Sequence, residues 1–127
     1  MNENDVAKII VDCAYQIHTK SGPGMFESVY ECILAEYLTE RGLNVKRQVK
    51  MPAKFEDIKL DRVFVADLVV NDLVIVELKS KKQLNEIDKK QLLTYLKLTG
   101  YKLGLLINFG DNLIKDGLKR IINGIIE

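Results

Sequence analysis

Asp67, Glu77 and Lys79 lie within Arg62-Val63-Phe64-Val65-Ala66-Asp67-Leu68-Val69-Val70-Asn71-Asp72-Leu73-Val74-Ile75-Val76-Glu77-Leu78-Lys79, one of the most apolar stretches of the chain. Ionisable side chains are rarely buried unless they are paired, bind a metal or do chemistry. Two carboxylates on neighbouring strands make a hard-oxygen site suited to Mg²⁺ or Mn²⁺. A cation held there can lower the pKa of a bound water and stabilise the charge that develops on a phosphodiester. Lys79, two residues past Glu77, lies on the same side of the strand. Its side chain can position that water, deprotonate it as the neutral amine, or as the ammonium neutralise charge at phosphorus. The chemistry needs all three residues on one face.

That condition fixes a register. A two-residue hairpin at Asn71-Asp72 pairs Val70 with Leu73 and Asp67 with Val76, which turns Glu77 to the opposite face. A shared metal therefore requires a longer loop, of three or five residues, or a bulge that sets Asp67 opposite Glu77. The plainer alternative is a structural ion cluster of Asp67, Glu77 and Lys79 with no metal.

The elements around this hairpin follow from periodicity. Residues 3–20 read as a helix with Val6, Ile9, Ile10, Cys13 and Ile17 inward and Asn4 or Asp5 as cap; Ser21-Gly22-Pro23-Gly24 ends it. A second helix runs from about Met25 to Arg41, with an apolar stripe of Phe26, Val29, Tyr30, Ile33, Leu34, Tyr37 and Leu38 and Gly42 at its end. Strands are predicted over Val45–Phe55, Ile58–Val70 and Leu73–Leu78. A third helix spans Asn85–Thr99, with Ile87, Leu92, Tyr95 and Leu96 inward and Gly100 as stop. Lys102–Phe109 is again an apolar strand. Leu113, Leu118, Ile121, Ile122 and Ile125 fit a short helix, and helix or irregular structure is expected there rather than an edge strand at Arg120-Ile121-Ile122. The order ααβββαβ plus a tail predicts an α/β (α+β) fold with a mixed sheet flanked by helices. The last crossover should be right-handed between parallel strands.

At 127 residues and a net charge of +1, the chain reads as one domain, 1–127, with no global field that announces a polyanionic partner. The acidic start Met1-Asn2-Glu3-Asn4-Asp5 does not read as a signal peptide, and no apolar run approaches the roughly 20 residues of a membrane span. A soluble, cytoplasmic protein is expected. Cys13 and Cys32 read as reduced core thiols. His18, the one histidine, sits near a helix C-terminus, where a structural role is expected, and a nucleophilic triad is excluded. Gly22-Pro23-Gly24 lacks the preceding strand and following Lys-Ser/Thr of a phosphate loop.

Asp67-x(9)-Glu77-x-Lys79, with a Glu-bearing helix before it and a Gln-bearing helix after it, resembles the PD-(D/E)XK nuclease superfamily. More narrowly, Gly24-Met25-Phe26-Glu27-Ser28-Val29-Tyr30 is similar to the GxxExxY signature of a small prokaryotic branch. Ala66-Asp67-Leu68-Val69-Val70, Val76-Glu77-Leu78-Lys79, Gln91-Leu92-Leu93-Thr94-Tyr95-Leu96 and Gly104-Leu105-Leu106-Ile107-Asn108-Phe109 match that branch too. Together they cover most of residues 20–122. One departure is Ala66, where the superfamily name places Pro.

The resemblance implies a restriction-endonuclease-like αβββαβ core and a metal-dependent phosphodiesterase that uses a metal-activated water. Asp67 and Glu77 would be metal ligands and Lys79 the catalytic lysine. Glu27 would complete or orient the Mg²⁺ (or Mn²⁺) shell, Gln91 would contact the scissile phosphate or a water, and Tyr95 would line the site. By position alone Glu27 is a first-turn acid favoured by unpaired N–H groups, and Glu31, one turn on, is the alternative acid. Residues 79–102 are locally basic, with Lys79, Lys81, Lys82, Lys89, Lys90, Lys97 and Lys102 against Glu86 and Asp88; Lys46, Arg47 and Lys50 add to this. Lys81, Lys82, Lys89 and Lys90 would form a track for a nucleic-acid backbone, with DNA the expected substrate. The lack of a recognition domain points to a homodimer or a partner protein. The rival class is a non-catalytic nucleic-acid-binding or oligomerising module on the same fold.

Overall fold

Asn2, rather than Asn4 or Asp5, starts the first helix. Its side chain accepts the Asp5 N–H at 2.9 Å, and the Asp5 carboxylate accepts the Asn2 N–H at 3.0 Å. This reciprocal cap satisfies two donors that the helix itself leaves unpaired. The computed structural model describes residues 1–126, and of residues 62 and 63 the backbone only.

Helices α1 (Glu3–Ser21) and α2 (Glu27–Glu40) precede strands β1 (Val45–Phe55), β2 (Ile58–Val70) and β3 (Val74–Lys79). Helix α3 (Glu86–Thr99) leads into β4 (Leu103–Asn108), and a single turn α4 (Ile114–Gly117) into β5 (Leu118–Ile122). Among the described residues the sheet has five strands in the order β1-β2-β3-β4-β5, antiparallel except for the β3–β4 pair. This is a mixed α+β sheet flanked by helices, of the restriction-endonuclease-like type.

Three details of the sequence expectation change. The tail is not chiefly helical: Leu118–Ile122 pairs with β4 as an edge strand, because Ile121 and Leu118 can pack against the sheet from an extended chain. Phe26 and Ile87 lie at helix starts and point to solvent, 82% and 72% exposed, and Val29 is exposed with them. Cys13 is buried as expected, but Cys32 is exposed, since it falls on the outer side of α2. Among the described residues no helix is long and apolar enough to cross a membrane.

Two apolar layers sandwich the sheet. One joins α1 and α2 to Leu68, Val70, Val74, Val76, Leu78 and β4 residues. The other joins Leu92 and Leu96 of α3 to Met51, Phe64, Ala66, Val69, Ile75 and Leu106. Ala66 and Leu68, two apart on one strand, thus face opposite layers, and so do Val45 and Val49. Regular strands keep such residues on one side. The switch falls where the β1–β2 ladder passes from Arg47↔Leu68 to Val49↔Ala66 and skips Gln48 and Asp67.

Candidate active site

The loop between β2 and β3 has three residues, Asn71, Asp72 and Leu73, and the first two take φ of 53° and 52°. Asn and Asp tolerate this left-handed region better than most residues. Asn71 is further fixed by Asn44: its Oδ1 accepts the Asn44 N–H at 2.7 Å, and its own N–H reaches the Asn44 carbonyl at 2.8 Å. The pairs Val70↔Val74, Val69↔Ile75 and Leu68↔Val76 follow, so Asp67 comes opposite Glu77. The register that a shared site demands is the one the loop delivers.

At that point side chains replace ladder bonds. Glu77 Oε1 accepts the Asp67 N–H at 3.2 Å, and Asp67 Oδ2 accepts the Leu78 N–H at 2.8 Å. Burial, and next the neighbouring Asp67 charge, push the Glu77 carboxyl up to about 8. Desolvated and beside a like charge, the Glu77 carboxyl favours its neutral form.

Lys79, Gln91 and Tyr95 line one narrow cleft with Glu77, Asp88, Leu92 and Leu106. Gln91 Nε2 donates to Tyr95 Oη at 2.9 Å, and the Tyr95 ring stacks on Phe64 at 3.8 Å between centroids. These two residues are one helical turn apart, so α3 presents both together. Asp88 Oδ2 meets Lys81 Nζ at 2.6 Å and also caps α3 by accepting the Asn85 N–H. Burial would raise the Asp88 carboxyl, but the Lys81 ammonium and the Asn85 amide outweigh it and hold the group below the usual carboxylate range.

The segment that follows Lys79 is clamped to the end of β4. The fully buried Asn108 accepts the Lys81 N–H at 3.0 Å and donates to the Lys81 carbonyl at 2.9 Å. Gly110 leaves no room for a side chain there: a Cβ would stand 2.0 Å from the Lys81 oxygen.

Helix α2 meets the same end of the sheet. Ser80 Oγ donates to the Met25 carbonyl at 2.7 Å, and Tyr30 Oη donates to the Gly22 carbonyl at 2.6 Å and accepts the Met25 N–H at 3.3 Å. Tyr30 is buried and stacks on Phe109 at 4.3 Å, so the tyrosine of Gly24-x-x-Glu27-x-x-Tyr30 shapes the loop. Glu27 is exposed in the first turn of α2, with no side-chain partner among the described residues. Glu31, one turn further, is only 5% exposed and connects to Asp67 through Gln48.

Of the expected backbone track, Lys82 and Lys89 border a polar depression with Lys119, Asp111 and Asp116, and Lys90 is exposed. Lys81 and Lys89 are tied to Asp88 and Glu86, so the track is partly neutralised by its own acids. His18 is structural: its Nε2 lies 2.8 Å from the Asp111 carbonyl. Gln48, which reaches Glu31, gave no sequence signal as a site residue, since a mid-strand Gln in an alternating pattern reads as solvated; Arg47, counted with the basic surface, pairs with Glu31.

The donor chemistry fits a hard divalent cation. Among the described residues no group of three or more His, Cys, Asp or Glu side chains converges, but Mg²⁺ takes one or two carboxylates and keeps several waters. Asp67 and Glu77 supply such a pair, and the second oxygen of Glu77 makes no protein hydrogen bond among the described residues. A cation between them would also relieve the repulsion that raises Glu77.

An α+β sheet with Asp and Glu-x-Lys on adjacent strands and a Gln-bearing helix over them defines a nuclease-like fold. The profile of the PD-(D/E)XK nuclease superfamily matches residues 4–121, and the chain belongs to that superfamily. No curated protein and no solved structure matches it.

Proposed function

We propose that this protein is a metal-dependent nuclease of the GxxExxY branch, a single domain that hydrolyses phosphodiester bonds of nucleic acid, DNA in the first instance. The observation that carries the proposal is the placement of Asp67 opposite Glu77, with their carboxylates interlocked with strand amides. Asp67 and Glu77 hold Mg²⁺ or Mn²⁺. When bound, the cation supplies an acidified water and stabilises charge on the phosphate. Lys79, from the same strand as Glu77, orients that water or offsets charge at phosphorus. Gln91 offers amide hydrogens to a phosphate oxygen or a water, and Tyr95 holds Gln91 in line. Glu27, exposed at the α2 start, would act on the cation through its waters. Lys81, Lys82, Lys89 and Lys90 guide the substrate backbone. A homodimer or a partner protein takes part in substrate selection.

Thermal-shift titration with Mg²⁺ and Mn²⁺ tests the metal site. A ligand that binds only the folded state raises stability by about 2.7 kcal/mol at a hundred times its Kd. Wild type should show such a rise and Asp67→Ala should not. Indifference of both proteins would remove the metalloenzyme and leave a non-catalytic module.

A further inference from the structure

Gln48 occupies the middle of β1 with φ of 50°. A non-glycine residue in this left-handed region is uncommon, and inside a strand it is strained; such strain gathers at functional sites. Gln48 is not in a turn and needs no reversal of the chain. Its backbone turns the strand over. Arg47 points to α2, while Val49, two residues on, joins the α3 layer. The side chain of Gln48 is left in the gap that the ladder skips, opposite Asp67.

Two acids converge on its amide. Gln48 Nε2 donates to Glu31 Oε1 at 2.5 Å and to Asp67 Oδ1 at 3.2 Å. An amide nitrogen carries two hydrogens, so it serves both. Glu31 is buried and pinned by Arg47, whose Nη2 lies 3.0 Å from its other oxygen. Asp67 already gives Oδ2 to the Leu78 N–H at 2.8 Å. With each oxygen held by a different donor, the Asp67 carboxylate cannot rotate freely.

We infer that Gln48 is a positioning residue: braced by Glu31 and Arg47, it sets the orientation of the Asp67 carboxylate. The orientation follows from hydrogen bonds among the protein's own groups, and only its value to catalysis rests on the proposed function. A hydrogen bond made merely for cohesion would not call for a strained residue in mid-strand. Outer partners that orient a ligand typically govern metal affinity by 10- to 100-fold.

The test compares wild type with Gln48→Gly, since glycine takes this backbone without strain and the fold should be kept. In metal-free protein, NMR hydrogen exchange reads the Leu78 amide, whose acceptor is Asp67. It should exchange at least about fivefold faster in Gln48→Gly, the equivalent of one hydrogen bond loosened. The Leu106 and Ile107 amides of β4 should not change. Calorimetry with Mn²⁺ should show affinity weakened about tenfold. Unchanged Leu78 exchange overturns the inference whatever the metal does. Faster Leu78 exchange with unchanged Mn²⁺ affinity overturns the link to the metal site. If wild type binds no Mn²⁺ while Leu78 still loosens in the variant, the proposed function fails and the positioning role stands.

Discussion

Asp67 and Glu77 face each other across the β2–β3 pair, and Glu77 Oε1 accepts the backbone N–H of Asp67 at 3.2 Å. The Asp67 carboxylate reaches in return to the residue after Glu77, the Leu78 N–H, at 2.8 Å. The β2–β3 ladder, whose last pair is Leu68↔Val76, therefore gives way where the acids meet. The three-residue loop at Asn71–Leu73 permits this, whereas a two-residue turn would pair Val70 with Leu73 and set Asp67 against Val76.

The raised Glu77 carboxyl makes stability depend on pH. Its folded value, about 8, exceeds the unfolded value of 4.5, chiefly through burial and secondarily through Asp67. Between these values the folded state binds more protons, so stability falls as pH rises, by at most about 1.4 kcal/mol per pH unit. Urea unfolding in EDTA at about pH 5 and about pH 8 should show a larger loss for wild type than for Glu77→Gln. A bound cation needs the ionised acid, so Mn²⁺ affinity should climb over the same interval.

Asn108→Ala should cost about 2–3 kcal/mol in urea unfolding, because it strands the buried N–H and C=O of Lys81. An effect below about 0.5 kcal/mol would show that the clamp on the Lys79–Lys81 segment is dispensable.

Gly110→Ala adds a methyl where a Cβ meets Lys81 backbone at 2.0 Å. Backbone cannot swing aside as a side chain can, so a loss of about 1–3 kcal/mol or more is expected. Gly104→Ala is the comparison: its Cβ meets only Leu92 side-chain atoms, at 3.0–3.2 Å, and should cost less.

Tyr30→Phe removes the hydroxyl that joins Gly22 to Met25. Unfolding should show a loss of about 1–2 kcal/mol, while the thermal response to Mn²⁺ survives. Loss of that response with unchanged stability would instead give this tyrosine a direct part in the site.

Much of this was legible in the residue pattern. Parity along Asp67–Lys79 demanded the longer loop, and the alternating apolar runs gave the first four strands and three main helices within two residues. What escaped has local causes. Leu118–Ile122 carries too few residues for periodicity to separate strand from helix, and its pairing with β4 decides. Ile87 and Phe26 are apolar but fall in first turns that overhang solvent. Gln48 was hidden because its role depends on its own left-handed backbone inside a strand, which turns the strand over and which no alternation pattern reports; Glu31 was legible only as the alternative acid. Glu27 was drawn from a motif, whereas burial and hydrogen bonding join Glu31 to Asp67.

The most direct measurement is cleavage of single-stranded, duplex and branched DNA and of RNA by the purified protein with Mg²⁺ or Mn²⁺, beside EDTA controls. At least one substrate should be cut only when metal is present, with Asp67→Ala reduced to background and Lys79→Ala slowed by about a hundredfold or more. Cleavage that persists in Asp67→Ala, or no metal-dependent cleavage of any substrate by wild type, would contradict a nuclease centred on Asp67, Glu77 and Lys79.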